Sequence, residues 1–96
     1  MMILITYDVE TTSPQGKKRL NKVAKHCVNY GQRVQNSVFE CNLDQTQFTI
    51  FRRQLESLID VEKDSIRYYF LGNNWITKVE HIGAKKTYNP EDVLIV

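Results

Sequence analysis

Three groups of residues in this 96-residue chain have the chemistry and spacing to do more than fold. The first is Tyr7-Asp8, where the apolar, β-prone run Ile3-Leu4-Ile5-Thr6-Tyr7 ends on a carboxylate. A carboxylate at the C-terminal end of a strand projects into the loops above a sheet, and its hard oxygens suit magnesium. The plainer alternative, an aspartate bonded to its own turn, is the commoner fate of a lone Asp. One carboxylate is few for phosphoryl chemistry, so a metal site there needs a second copy of Asp8 or substrate oxygens. Two copies facing each other across a two-fold axis repel unless a cation, a proton or a basic group lies between them.

The second group is cationic. Residues 11–35 hold six bases (Lys17, Lys18, Arg19, Lys22, Lys25, Arg33) and no acid, while residues 36–96 hold seven bases against nine acids. The net charge of +2 is therefore concentrated in one stretch. Lys18, Lys22 and Lys25 follow i, i+4, i+7 spacing and point away from a Leu20/Ala24/Cys27 stripe, with Arg19 and His26 flanking the same face. A solvated lysine face is the usual outcome of such a pattern. Here no acid interrupts it, so the lysines repel one another and a phosphate backbone is the natural counter-charge. Lysines supply charge, not base readout.

The third group is Gln32-Arg33-Val34-Gln35-Asn36-Ser37-Val38-Phe39-Glu40. Arg33, Gln35, Asn36 and Ser37 are hydrogen-bond donors clustered near a hairpin and suited to phosphate oxygens. A polar turn with Phe39 in the core and Glu40 paired to Arg33 explains the composition equally well. His26 and His81 match no metal spacing. Cys27 reads as core and Cys41 as an inert strand residue. Tyr68, Tyr69 and Trp75 could stack bases, although alternation assigns Tyr68 to the core. No phosphate-binding glycine loop or nucleophile elbow is present.

The elements that must carry these groups follow from pattern. Ile3–Tyr7 reads as a strand covered on both faces. Ser13-Pro14 opens a helix reaching Tyr30, with Gly31 as a left-handed stop. Arg33–Leu43 reads as two short strands. Asp44 with Gln47 forms a capping box for a second helix whose buried stripe is Phe48, Phe51, Leu55, Leu58 and Ile59. Asp60 to Lys63 is a turn, Ile66–Phe70 a strand, and Lys78–Ile82 a further short strand.

The order β-α-β-β-α-β predicts an α+β, ferredoxin-like sandwich in a single domain over residues 1–96. Residues 75–96 exceed that unit and read as a C-terminal dimerisation extension. The apolar Val93–Val96 lacks a partner within the chain, so a symmetric, partly swapped homodimer is expected, with this extra strand pairing across it. No run is long enough for a transmembrane helix or a secretory core, and two cysteines are too few for a disulfide scaffold. A cytoplasmic location with no membrane partner is the expectation.

Together these pieces resemble the small ferredoxin-like CRISPR-associated adaptation proteins, the Cas-two family that partners the CRISPR integrase. The resemblance rests on Ile5-Thr6-Tyr7-Asp8-Val9, Lys18-Arg19-Leu20 through Lys22-Val23-Ala24-Lys25, and Gly31 through Glu40. It extends over Ser57-Leu58-Ile59-Asp60, Asp64-Ser65-Ile66-Arg67, Leu71-Gly72-Asn73 and Val79-Glu80-His81-Ile82-Gly83, closest to the branch accompanying type I-C systems. The resemblance implies a homodimer that binds double-stranded DNA and joins the integrase subunit during spacer capture. It also implies a magnesium-dependent endonuclease on DNA or RNA, with Asp8 as catalytic residue and metal ligand; in some members that aspartate is dispensable and the protein is a scaffold. Positions important in the family map onto Tyr7, Asp8, Arg19, Arg33, Ser37 and Phe39. On this expectation Lys18, Arg19, Lys22, Lys25, Arg33 and Ser37 contact nucleic acid, with Tyr7 and Phe39 in support. Lysine fills helix positions where several members use arginine, which removes bidentate phosphate contacts there.

Overall fold

The computed structural model describes residues 1–72 and 78–84. Their elements are β1 (Met2–Asp8), α1 (Pro14–Tyr30), β2 (Gln32–Gln35), β3 (Val38–Asn42), α2 (Gln45–Ser57), β4 (Ser65–Leu71) and β5 (Lys78–Gly83). The antiparallel sheet has the order β2-β3-β1-β4-β5, placing β1 at the centre between β3 and β4. This is the expected ferredoxin-like arrangement with one strand added at the β4 edge. The added strand pairs with β4 of its own chain, from Phe70↔Lys78 to Ser65↔Gly83. Trp75, the polar stretch Lys85–Asn89 and the run Val93–Val96 lie outside the described residues.

Both helices start where side chains replace the missing backbone acceptors. The Ser13 hydroxyl accepts from Gly16 N–H at 3.0 Å, with Pro14 at the first helical position. Asp44 and Gln47 form a reciprocal capping box, with bonds of 2.7 and 2.9 Å. Val23 and Cys27 of α1, and Phe48, Phe51 and Leu55 of α2, bury their side chains against Ile3, Ile5, Tyr7, Phe39, Cys41, Ile66 and Tyr68 of the sheet. Leu20, Ala24, Leu58 and Ile59 are partly buried at the margin of this core. Leu4 and Tyr69, register partners on the opposite face, are also buried, so the middle of β1 is covered on both sides.

Gly31 departs from expectation. Its backbone is extended (φ −153°, ψ −168°), so the helix does not end through a left-handed residue. The glycine is required for proximity instead: a side chain there would collide with Cys41 Sγ and the Glu40 carbonyl, because β3 passes directly beneath the end of α1. Among the described residues the positive φ belongs to Gly83, at 105°.

Candidate functional site

Asp8 closes β1 and is exposed. Its register partner is Ser65, and Thr6 pairs with Arg67 two residues back along the same strands. These four residues and Tyr7 line a cavity of about 140 Å³ at the strand end. It gathers a carboxylate, two hydroxyls and a guanidinium. Among the described residues no group of three His, Cys, Asp or Glu side chains is placed to hold a metal ion, and among the residues lining this cavity the carboxylate is Asp8.

The β2–β3 hairpin supports the tip from one side. Tyr7 N–H donates to the Ser37 carbonyl at 3.1 Å, and the Tyr7 hydroxyl donates to the Asn36 carbonyl at 3.3 Å. The Tyr7 ring stacks on Phe39 at 6.1 Å between centroids, and the Arg33 guanidinium stands 5.1 Å over the Phe39 ring. Burial, reinforced by Cys27 and opposed by Arg33, pushes the Tyr7 phenol above its ordinary range, so Tyr7 stays a donor and does not act as a base. Tyr7, Phe39, Arg33 and Ser37 are thus brought together around the Tyr7 side of the strand end, whereas the Asp8 cavity is lined by Thr6, Tyr7, Ser65 and Arg67. Glu40 pairs in register with Gln32, not with Arg33.

Opposite the hairpin lies a residue whose importance the sequence did not reveal. Asp64 has no exposed surface, and its carboxylate accepts from four N–H donors. Glu10 N–H donates to Oδ1 at 3.0 Å and Asp60 N–H to Oδ2 at 2.9 Å. Arg19 contributes Nε to Oδ2 at 2.7 Å and a longer Nη2 contact to Oδ1 at 3.4 Å. Burial alone would raise this carboxyl; the bonds from Arg19, Asp60 and Glu10 outweigh it and hold the pKa below the ordinary value of 3.8. The loop after β1, the start of α1 and the turn before β4 are thereby tied at one point. Arg19 is engaged by this pairing: its guanidinium is seated against Asp64, at the edge of the groove that Lys18 and Lys22 line.

Lys18, Lys22 and Lys25 are exposed as the helical spacing requires. Lys18 and Lys22, with Gln15, Arg19, Ser57 and Leu58, border a groove of about 310 Å³ between α1 and the end of α2. His26 does not flank this face. It turns onto α2, stacking on Phe51 at 5.0 Å, with Nε2 3.1 Å from the Phe51 carbonyl oxygen. Burial pushes Cys27 up to about 12 and Cys41 to about 11, which keeps both thiols protonated. Tyr68 is fully buried and donates to Glu56 Oε2 at 2.9 Å, so it cannot stack on a base.

Sequence reasoning also passed over Arg67 and Arg52. Arg52 bonds Glu56 at 2.7 Å and Glu80 at 2.6 Å, joining α2 to β5. The available signal was local for Arg52–Glu56, an i, i+4 pair on a helix. For Arg67 it was the placement of a charge between Ile66 and Tyr68 in a buried strand.

Residues 1–79 match the family model for CRISPR associated protein Cas2. A "CRISPR-associated endonuclease Cas2" of Halalkalibacterium halodurans is 66% identical over 95 residues, covering 99% of both chains. A "CRISPR-associated endoribonuclease Cas2" of Nitratidesulfovibrio vulgaris is 52% identical over 96 residues, covering all of this chain and 94% of its own. The crystal structure of Streptococcus pyogenes Cas2 at pH 6.5 superposes with a TM-score of 0.71 at 57% identity, over 78% of this chain and 90% of that one. On the match to the family model, the near full-length relatives and the shared fold, this chain belongs to the Cas2 family of CRISPR-associated proteins.

Proposed function

We propose that this chain serves spacer acquisition as a homodimer that binds double-stranded DNA, joins the CRISPR integrase subunit, and cleaves phosphodiester bonds with magnesium at Asp8. The observation that carries the reading is the exposed Asp8 carboxylate in a cavity shared with Arg67, at the end of a buried strand. The relatives named endonuclease and endoribonuclease support it, and leave DNA and RNA both open as the strand cut. The motifs of the N-terminal strand and the hairpin favour the branch accompanying type I-C systems.

Asp8 fits a hard cation by its donor chemistry. Magnesium is commonly held by one or two carboxylates, with water and substrate phosphate completing the shell. A second Asp8 from a partner protomer, or the phosphate itself, answers the shortage of carboxylates within one chain. Magnesium there supplies Lewis-acid charge for the scissile phosphate. The chain's own residues do the rest. Lys18, Lys22 and Lys25 attract the phosphate backbone, and Arg33 and Ser37 of the hairpin add further contacts to it. Tyr7 and Phe39 hold the strand end rigid from below, while Arg19 holds it through Asp64 and contributes charge only at the edge of the lysine groove.

Purified wild-type and Asp8→Asn proteins, compared on duplex DNA and on RNA with magnesium or EDTA, test the reading. Cleavage by the wild type should need magnesium, and the variant should lose at least about 10²-fold of it while binding DNA within about threefold of wild type. Equal cleavage by both proteins would assign the activity to other residues or to a contaminant, and cleavage by neither would leave a non-catalytic bridging scaffold, the other reading that the lysine face serves. Replacing Lys18, Lys22 and Lys25 by glutamine should flatten the salt dependence of DNA binding by about 0.9 for each phosphate no longer neutralised.

A further inference from the structure

Arg67 and His81 stand in one cross-strand row with Thr6, through the registers Thr6↔Arg67 and Arg67↔His81. In β4, Ile66 and Tyr68 turn into the helix-covered core, so alternation sends Arg67 to the other face of the sheet. Arg67 Nε donates to His81 Nδ1 at 2.9 Å. A guanidinium stays protonated and offers no acceptor, so His81 Nδ1 must carry the lone pair and Nε2 the proton. That Nε2–H donates to the Ala84 carbonyl at 2.9 Å. Ala84 is itself fixed, because its N–H donates to the Asp64 carbonyl at 2.8 Å. Gly83 makes this turn possible: its φ of 105° disfavours any side chain, and a Cβ there would strike the Asp64 carbonyl. A continuous line of bonds therefore runs from the Asp64 backbone through Ala84 and His81 to Arg67, and sets the plane of the Arg67 guanidinium.

We infer that Arg67, positioned by His81, is the phosphate-anchoring residue of the Asp8 cavity. The inference rests on the reading that nucleic acid reaches Asp8. The cavity holds about 140 Å³, well below the roughly 300–1,000 Å³ of small-molecule sites, so it suits one phosphate group and not a nucleoside. A planar guanidinium bridges two phosphate oxygens, which a lysine cannot do. Beside a carboxylate suited to a cation, it completes the charge pattern that phosphoryl transfer requires: a cation and an arginine on the same phosphate. This is a contact of a different kind from the lysine face, where charge attracts the backbone without fixing any one phosphate.

The test reads binding without metal first. The full chain is titrated into a labelled DNA duplex in EDTA over a series of salt concentrations, as wild type, Arg67→Gln, His81→Asn and His81→Leu, with Lys18→Gln alongside. Arg67→Gln should lower the slope of log affinity against log salt by about one. His81→Asn, whose Oδ1 can replace Nδ1 as acceptor, should retain the wild-type slope, whereas His81→Leu should fall towards Arg67→Gln. A wild-type slope for Arg67→Gln, with a reduced one for Lys18→Gln, overturns the inference. With magnesium, Arg67→Gln should lower kcat about 10²-fold with KM within about threefold. Should Arg67→Gln fail to fold, Arg67→Lys decides: it should keep the slope and lose at least about tenfold in kcat, and a wild-type kcat overturns the assignment. Cleavage by Asp8→Asn at the wild-type rate would sink the catalytic reading alone, since the anchor is read in EDTA.

Discussion

Asp8 and Asp64 meet at the same corner of the sheet, one as the register partner of Ser65 and the other as the residue before it, yet their surroundings are opposite. Asp64 has no exposed surface and four N–H donors on its two oxygens; Asp8 is exposed and lines a cavity with a guanidinium. Asp64 directs its charge to the protein itself, joining the β1–α1 loop, Arg19 and the α2–β4 turn. Asp8 sits on the element so secured and is exposed. A buried carboxylate with every donor satisfied is architecture, and an exposed one beside a second charge on a rigid strand end is equipment for a ligand.

Removing the buried partner should produce the largest effect. Asp64→Ala strands the Arg19 guanidinium and the N–H groups of Glu10 and Asp60, and should cost about 3 kcal/mol in denaturant-induced unfolding. A decrease under about 1 kcal/mol would mean that the corner is held by the core alone.

The next effect depends on pH. Asp64 titrates lower in the folded chain than its ordinary 3.8, so its contribution is fully present above about pH 4 and is lost as pH falls through the folded value. Asp64→Asn cannot contribute that share: its amide offers one acceptor oxygen where the carboxylate offers two. Unfolding free energies of wild type and Asp64→Asn should therefore differ most near neutral pH and converge as pH falls below about 4. A constant gap down to about pH 2 would remove the ionic part of the account.

The sequence disclosed these two regions unequally. Capping and periodicity are local, so Ser13-Pro14 and Asp44/Gln47 located both helices, and the run Ile3–Tyr7 located the central strand. Asp8 was legible because a strand of that pattern must end on it. Asp64 was not, because its donors come from Glu10, Arg19 and Asp60, and no periodicity encodes a pairing across 45 or 54 residues. Arg19 and His26 were assigned to the lysine face by helical angle alone. Long side chains reach around a helix: the Phe51 ring drew His26 away, and a buried carboxylate holds Arg19 at the edge of the lysine groove. Gly31 misled for a related reason: the close passage of β3, not a left-handed helix stop, is what requires glycine there.

The smallest expected effect on stability belongs to Asp8, and it sharpens the contrast most. In EDTA, Asp8→Asn should change unfolding free energy by no more than about 0.5 kcal/mol, the range of surface substitutions. Adding magnesium should then separate the two proteins. A cation that binds the folded chain and not the unfolded one stabilises it by RT ln(1 + [L]/Kd), about 1.4 kcal/mol at tenfold its dissociation constant. The wild type should melt higher as magnesium is titrated, and Asp8→Asn should not, whereas Asp64→Asn should begin from a lower midpoint and still respond. Equal responses of wild type and Asp8→Asn would place the cation elsewhere. A magnesium response missing from Asp64→Asn would show that the buried carboxylate is needed to hold Asp8 where a ligand can use it.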